Sequence, residues 1–418
     1  MTTKPVGQPL PRAPLGDPHL RRLVVGEGLA GVVDALFLVW LTLFVLDLSE
    51  PGISTGLVLV AVALPRAVLL LPAGVLVDRL GPARVAATAS WLRVAVLLAL
   101  GALVTLTSPS VTTVALLATL LGAADAAYFP AALALIPAVV PTEKLTRVNG
   151  LVQGAESGGD LVGPAVAAGA IAVIGFDATL GVITATAALA AATLSTLIRV
   201  LRRGGTEGEG AGQDPDDGES VSSARALAAG LRYAWREPLV RGMLGAVALI
   251  NITVVGPVLV GGAVLADQRL GGAGALGIVL SGFGAGSLAG SLVAGWRPPA
   301  RRGWTVVGGV AAIGAGMAGL AAVTHVVAAT AVVALIGIGS AFLGVVIVAT
   351  LQERVPAGLL GRVLSLVVLA TVAFDPFSYV IAGALLPYGT TTLFLVCGGA
   401  VLACAGVVAA SAEMRSLR

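Results

Sequence analysis

Long apolar segments, each about the length of a membrane-spanning helix, alternate with short polar ones along the chain. About 20 apolar residues cross a bilayer as an α-helix. Six such segments precede, and six follow, a polar stretch rich in glycine, aspartate and glutamate. They cover approximately residues 23–47, 54–77, 84–107, 111–137, 147–175, 178–199, 240–266, 274–296, 304–324, 327–350, 363–387 and 390–411. The pattern predicts an all-α polytopic membrane protein with 12 transmembrane helices.

Composition supports a membrane protein. Of the 418 residues, 57% are hydrophobic and only 11% are charged, whereas soluble domains carry about 25% charged residues. The formal net charge is only +3, and no stretch combines dense basic residues with aromatics, so we expect no nucleic-acid partner. A water-soluble protein is excluded, and the bilayer is the expected environment.

The distribution of basic residues predicts the topology. With the N-terminus inside, all but three of the 25 Lys and Arg residues lie in tails or cytoplasmic connections; the exceptions are Arg66, Arg93 and Arg269. This satisfies the positive-inside rule. We therefore expect cytoplasmic termini in a bacterial inner membrane. The predicted division is a tail at 1–22, a six-helix bundle at 23–200, a linker with an amphipathic helix at 201–239, a second bundle at 240–411 and a tail at 412–418.

A weak internal repeat supports two homologous halves. Val140-Pro141-x-x-x-Leu145-x-Arg147 recurs as Val355-Pro356-x-x-x-Leu360-x-Arg362, after a shift of 215 residues. Parallel repeats of this kind place a transport path at the axis between the two halves. The repeat therefore predicts a fold of two pseudo-symmetric six-helix halves with the substrate site between them.

Two glycine-containing strings stand out. The connection after the second apolar segment combines small residues with charges: Gly74, Asp78, Arg79, Gly81 and Arg84. Gly74 would permit close helix packing, Gly81 a tight turn, and Asp78 would sit near a helix N-terminus.

The fifth segment holds Gly150, Gly159, Gly163 and Pro164 in the pattern G-x8-G-x3-G-P. Small residues at this spacing let helices approach closely, and a proline within a helix bends it.

The first string matches the G-x-x-x-D-R-x-G-x-x-R loop of the major facilitator superfamily. The second resembles the signature of its proton-coupled antiporters, although Ala167-Ala168 replaces the closing glycine pair. The resemblance implies the major facilitator fold, a gating loop in which Asp78 latches the halves, and proton antiport. The equivalent of Asp78 in the second half is Ala294, which has no carboxylate. Further segments resemble the branch of macrolide-efflux and siderophore-exporter proteins.

Charged groups inside apolar spans are costly and usually face a cavity or a partner. These candidates for proton coupling or substrate binding are Glu27, Asp34, Asp125, Glu156, Asp160, Asp375 and Arg66. Glu27 and Asp34 share one helix face, and the 215-residue shift superposes Asp160 on Asp375. A low dielectric favours the protonated carboxyl group, so these acids could exchange protons.

The same acids also have a structural interpretation. They could be hydrogen-bonded groups that hold helices together, with Arg66 as the counter-ion of Asp34 rather than a ligand for anionic cargo. Aromatic and amide side chains near the acids could form a wall for a bulky cargo, or simply pack the bundle. These are Tyr128, Phe129, Phe374, Phe377, Tyr379 and Asn251.

The sequence predicts a monomeric efflux antiporter. It would export a hydrophobic or amphipathic small molecule, such as an antibiotic, natural product or siderophore, in exchange for protons by alternating access. No Walker A loop is present, and the two histidines cannot form a zinc site; we expect no cofactor or metal, and the proton gradient as energy source. The alternatives are a proton-independent facilitator or uptake transporter, a polytopic membrane enzyme, and a non-transporting receptor or scaffold.

Overall fold

The computed structural model describes residues 18–49, 52–139, 145–203, 231–296, 301–356, 363, 366–367, 369–371 and 373–411, and every regular element within these ranges is a helix. Eleven of the described helices are long and apolar enough to cross a membrane. We number their helices α1 (Pro18–Leu48), α2 (Ile53–Leu80), α3 (Pro82–Leu106), α4 (Val111–Val139), α5 (Leu145–Arg203), α6 (Pro238–Leu270), α7 (Ala273–Trp296), α8 (Arg302–Leu320), α9 (Val326–Arg354), α10 (Asp375–Leu385) and α11 (Thr390–Ala410). Helix α10 is the regular part of a longer candidate span, Leu369–Tyr388.

Helix α5 contains two of the predicted spans. Its 59 residues run through Gly175, whose φ of 80° and ψ of 176° are not helical. Only glycine adopts this backbone conformation without strain, so the chain reverses there with almost no loop. Dividing α5 at Gly175 accounts for the predicted spans 147–175 and 178–199, and the described part then holds the expected 12 segments.

Helix α6 departs from regular geometry in its second part. Its α-helical section Pro238–Gly256 is followed by π-helical turns at Pro257–Gly261 and Ala266–Leu270, separated by Gly262–Leu265. Pro257 lacks an N–H, which loosens the regular ladder at this point. Helix α1 begins at Pro18, before the predicted start of its apolar run at residue 23.

Packing repeats in the two parts of the chain. Helix α1 packs on α5, α2 on α4, and α3 on both α4 and α5; in the second part α6 packs on α10, α7 on α9, and α8 on both α9 and α11. Two further pairs, α2 with α10 and α5 with α7, join the two parts. This is the pairing expected of two related six-helix units placed around a central axis.

Many large apolar side chains lie on the outside of the helices. Leu106, Val173 and Val407 are among the most exposed. Contiguous apolar surface of this extent marks contact with lipid or a partner. Of the predicted amphipathic segment in the linker, residues 231–238 are described; residues 231–236 are helical, with Leu231 and Trp235 exposed.

Trp40 anchors the core of the first part. It is fully buried on α1, and its ring stacks on Phe44 at a centroid distance of 4.6 Å. Its indole Nε1–H donates to the Phe176 carbonyl oxygen at 2.9 Å, just after the break in α5. The same side chain therefore packs the core and satisfies a carbonyl at the chain reversal.

Trp40→Ala is expected to lower the free energy of unfolding by about 3–5 kcal/mol, because it leaves a large cavity and removes the hydrogen bond to the Phe176 carbonyl oxygen. Thermal melting of the detergent-purified protein measures the effect. Trp235→Ala is the matched control, since Trp235 is 70% exposed. Equal melting temperatures for the two variants would contradict the role assigned to Trp40.

Candidate functional site

A central cavity of about 580 Å³ lies between the two parts of the bundle. Helices α1, α2, α4 and α5 line it from one side, and α6, α10 and Thr371 from the other. Most of the lining is apolar, with a few charged groups. The ionisable lining residues are Glu27, Asp34, Arg66, Asp125, Tyr128, Asp375 and Tyr379. An apolar chamber with few polar groups is typical of a small-molecule site.

Arg93 of α3 does not line the cavity but contacts two of its carboxylates. Its Nη2 donates to the Asp34 Oδ1 of α1, and its Nε lies 2.7 Å from the Asp125 Oδ1 of α4. The second contact is an ion pair outside hydrogen-bond geometry. The Arg93 side chain is buried, and burying a cation is tolerable only when a counter-charge accompanies it.

Tyr128 connects this ion-pair cluster to Glu27. Its hydroxyl donates to the Glu27 Oε2 at 3.0 Å, in a buried position. Its ring lies under the Arg93 guanidinium, 5.2 Å from the ring centroid, a favourable cation–π distance. Glu27 and Asp34 therefore reach one cluster from the same face of α1, as their spacing predicts.

The predicted pairing of Asp34 with Arg66 is wrong. Asp34 pairs with Arg93, whereas the Arg66 guanidinium of α2 stacks over the Phe129 ring at 5.5 Å. Arg66 lines the same cavity as Asp125 and Asp375. Among the described residues no carboxylate lies within ion-pair distance of Arg66, so its charge is directed into the cavity.

Asp375 reaches the cavity from the second part of the chain. It is the first residue of α10, and a turn at Ala373 and Phe374 precedes it. Pro376 lacks the N–H that would continue the helix, which explains the interruption inside the predicted span 363–387. Tyr379, one turn later, and Asn251 of α6 also line the cavity. The amide of Asn251 donates to the Val247 carbonyl oxygen at 2.9 Å.

The predicted aromatic wall is only partly correct. Tyr128, Phe129 and Tyr379 line the cavity, but Phe374 and Phe377 do not. Phe377 is 59% exposed on the outside of α10, because two residues along a helix turn a side chain by about 200°. Phe37 of α1 lines the cavity as well, although no pattern in the sequence marks it.

The remaining two acids lie on α5. Glu156 and Asp160 belong to its first part, but their side chains lie outside what the structure describes. The predicted correspondence between Asp160 and Asp375 therefore stays a prediction.

Two glycines of the antiporter-like string on α5 pack as predicted. A Cβ added to Gly159 would lie 3.0 Å from the Val32 nitrogen, and one added to Gly163 would lie 2.6 Å from the Ala35 Cβ. Both glycines thus let α5 approach α1 closely. Gly150 is helical, and Pro164 lies buried inside α5.

The loop between α2 and α3 is partly as predicted. Gly81 makes the tight turn with a φ of 83°, which favours glycine. Gly74 does not mediate close packing, because a Cβ added there would meet nothing within 4 Å. Arg79 and Arg84 are exposed. The side chain of Asp78 lies outside the described part of the chain.

Two narrow contacts join the two parts of the bundle near the α1–α2 and α6–α7 connections. In the α2–α10 seam, a Cβ added to Gly383 would lie 3.1 Å from the Gly52 carbonyl oxygen. In the α5–α7 seam, a Cβ added to Gly277 would lie 2.8 Å from the Pro164 oxygen and 2.7 Å from the Ala168 Cβ. Ala168, which replaces a motif glycine, therefore still permits close contact.

The pairing of Arg93 with two carboxylates was not predicted from the sequence. A signal was available, because Arg93 and Arg66 are the two arginines well inside the predicted spans and a cation at that depth needs a partner. Which of the two arginines meets Asp34 depends on how α1, α3 and α4 pack against one another, and sequence spacing does not determine that packing.

Comparison with known proteins agrees with this architecture. The chain is 28% identical over 397 residues to a protein described as an uncharacterised MFS-type transporter y4rN of Sinorhizobium fredii, covering 91% of this chain and 92% of that one. The crystal structure of the peptide transporter POT in complex with sulfate has a TM-score of 0.75 at 13% identity, covering 98% of this chain and 96% of that one.

A mutant of the same transporter in complex with alafosfalin has a TM-score of 0.76 at 14% identity, over 98% of this chain and 96% of that one. Similarity at this level of identity shows the fold alone. The model of the Major Facilitator Superfamily matches residues 23–374. This match, the apolar helices and the central cavity together identify the chain as a multi-pass membrane transporter that belongs to the Major Facilitator Superfamily.

Proposed function

We propose that this protein exports a hydrophobic or amphipathic small molecule across a bacterial inner membrane in exchange for protons. The observation that carries the proposal is the central cavity, into which four carboxylates from both parts of the bundle reach: Glu27, Asp34, Asp125 and Asp375. Carboxylates in a low-dielectric chamber bind and release protons as their surroundings change. Export driven by a proton gradient requires such groups beside the cargo.

The lining of the cavity favours a cargo with a large apolar surface. Phe37, Phe129 and Tyr379 provide aromatic faces, and aliphatic side chains from α1, α2 and α4 fill the space between the charged groups. Burial of apolar cargo surface would supply most of the binding energy, while the charged groups would orient the molecule. Antibiotics, natural products and siderophores are candidate cargo classes.

Alternating access would use the two seams described above. Both lie near connections that the distribution of basic residues predicts to be extracellular, with the N- and C-termini in the cytoplasm. Rocking of the two halves would part these seams and close the opposite end, where the Gly74 to Arg84 loop lies. The absence of a carboxylate at Ala294 leaves Asp78 without a symmetric counterpart in this gate.

A proton-independent facilitator or an importer is the alternative function. The solved structures with the same fold are those of a peptide transporter, but at 13–14% identity they do not determine what this chain carries. The clustering of carboxylates around one cavity favours proton coupling, because a facilitator needs no group that changes its charge.

Proteoliposomes distinguish the two functions. A panel of fluorescent cationic and neutral amphipathic compounds, ethidium among them, is placed on one side of the vesicle membrane. The pH is made lower on the other side, so that protons and compound would move in opposite directions. We expect at least one compound to move about tenfold faster with the gradient than after addition of a protonophore. Asp375→Asn should remove most of this acceleration, because it takes one exchangeable charge from the cavity.

The matched control is Asp177→Asn. Asp177 lies on α5 just after the break, outside the cavity lining, and its replacement should leave the acceleration unchanged. Equal transport with and without the gradient for every compound carried, together with no effect of Asp375→Asn, would overturn proton coupling.

A further inference from the structure

The segment that leads into α6 turns a corner at the predicted cytoplasmic end of that helix. Residues 231–236 are helical, Glu237 is extended with a φ of −91° and a ψ of 106°, and α6 begins directly after it. Arg241, in the first turn of α6, donates from Nη1 to the Trp235 carbonyl oxygen at 3.1 Å. This hydrogen bond fastens the short helix to α6. We call residues 231–241 the linker corner.

The linker corner has one side against the bundle and one side outside it. Ala234 is buried and Tyr233 is half-buried, and both pack on the hydrophobic core. Leu231 and Trp235 are one helical turn apart, on a face that the bundle does not cover, and they are 54% and 70% exposed. Large apolar side chains grouped outside the core mark contact with lipid or a partner.

Three arginines accompany the two exposed apolar side chains. Arg232 and Arg236 each follow one of them in the short helix, and Arg241 is hydrogen-bonded to that helix; all three are exposed. Among the described residues no carboxylate lies within ion-pair distance of these arginines. Three arginines against one acid, Glu237, leave the linker corner with a net charge of +2. The surface therefore combines apolar side chains with uncompensated positive charge.

The length of α6 gives the depth of the linker corner in the membrane. Arg241 and Arg269 lie near the two ends of this span, about 40 Å apart along the helix at about 1.5 Å per residue. A bilayer with both headgroup layers is about 40–45 Å thick. With Arg269 in the outer headgroup layer, Arg241 lies in the inner one, where tryptophan side chains also concentrate. The linker corner is therefore at the level of the lipid phosphates.

We propose that the linker corner binds the headgroups of anionic phospholipids in the cytoplasmic leaflet. Phosphate oxygens accept hydrogen bonds from the free N–H groups of Arg232, Arg236 and Arg241, and a guanidinium can donate two parallel ones. Leu231 and Trp235 enter the boundary between headgroups and acyl chains, as the apolar face of an interfacial helix does. Such binding requires neither cargo nor a proton gradient.

The acidic stretch that precedes the linker corner in the sequence is the competing occupant. Residues 204–220 hold six acidic residues but no large apolar side chain. They could neutralise the arginines but could not cover Leu231 and Trp235. A phospholipid meets both requirements, because it presents a phosphate beside an acyl chain. The exposed apolar pair therefore favours the lipid.

Quenching of Trp235 fluorescence by brominated lipids tests the proposal. The full chain is placed in nanodiscs of equal parts phosphatidylcholine and phosphatidylglycerol, with bromine on the acyl chains of one lipid or of the other. Each protein is also made with Trp235→Phe, and the difference isolates the emission of Trp235. Both lipids should quench it, and the association constant of phosphatidylglycerol beside Trp235 should exceed that of phosphatidylcholine at least about fivefold.

Two double variants assign this preference to the linker corner. Arg232→Gln/Arg236→Gln should remove most of the preference for phosphatidylglycerol, while Trp235 is still quenched by both lipids. Arg199→Gln/Arg354→Gln is the matched control, because it removes the same charge from exposed positions near the ends of α5 and α9. It should leave the preference unchanged. All four arginines are exposed, so both variants should melt at the wild-type temperature.

Four outcomes would overturn the proposal. Absence of quenching would show that Trp235 lies in water, and equal quenching by the two lipids would show that the headgroup is not recognised. Loss of the preference in Arg199→Gln/Arg354→Gln would show that overall charge selects the lipid. A preference that arises only when the six acids at 204–220 are replaced by amides would identify the acidic stretch as the occupant of the linker corner.

Discussion

Arg93→Gln is expected to abolish transport and to lower the melting temperature of the purified protein more than any replacement of a single cavity carboxylate. The change removes the guanidinium from between Asp34 and Asp125 and leaves two carboxylates facing each other. Breaking a buried ion pair costs about 3–5 kcal/mol. Asp34 is half exposed, so water screens part of the repulsion, and we expect the lower end, about 3 kcal/mol. Thermal melting in detergent and proteoliposome transport measure the two effects.

Two companion variants separate charge from packing. Arg93→Lys keeps the positive charge and should retain most of the stability, although a single ammonium cannot contact both carboxylates as the guanidinium does. The double variant Arg93→Gln/Asp125→Asn removes one cation and one anion, and should recover most of the stability without recovering transport. If the double variant melted below Arg93→Gln, or Arg93→Gln transported normally, charge compensation by Arg93 would be the wrong explanation.

Gly277→Val is expected to reduce transport by at least tenfold while the protein still folds. Gly277 lies in the α5–α7 seam, where even a Cβ would stand 2.8 Å from the Ala165 Cα and from the Pro164 oxygen. Overpacking costs about 1–3 kcal/mol. Because the seam joins the two halves, the conformation with this seam closed bears that cost. The population should shift away from this conformation. A cost of about 1.4 kcal/mol changes the equilibrium between the two conformations tenfold.

Gly274→Val on the same helix is the matched control, because a Cβ there meets nothing within 4 Å. Spin labels at the exposed Val173 of α5 and Ile278 of α7 report the width of the seam. We expect a longer label distance in Gly277→Val and the wild-type distance in Gly274→Val. The same loss of transport in both variants would show that helix propensity, and not the seam, is responsible.

The helices could be predicted from the sequence because each one depends on a local property. A segment of about 20 apolar residues must satisfy its backbone hydrogen bonds internally once it leaves water, and the helix does this within the segment. The reversal between the fifth and sixth spans is also local, since Gly175 needs only its own backbone freedom. The family followed from short strings, of which Gly159 and Gly163 pack as their spacing predicts.

The lining of the cavity was less predictable, and the wrong predictions about it have a common cause. Asp34 was paired with Arg66, an arginine inside the next predicted span. Arg93, 59 residues from Asp34, reaches it instead through the packing of α3 on the first bundle. Phe374 and Phe377 were assigned to the wall from their closeness in sequence to Asp375. Their rotation about α10 directs Phe377 outward instead.

The sequence by itself therefore determined the membrane location, the number of spans, the family and the set of intramembrane acids from which a proton site can be chosen. Hydrophobicity and helical periodicity are properties of a single segment, and a charged residue inside an apolar segment can be recognised from that segment alone. The tertiary structure decided which of these charges meet and which of them face the cavity. Those outcomes depend on distances between helices that are far apart in the chain, and on exposure that differs between Asp34 and Asp125.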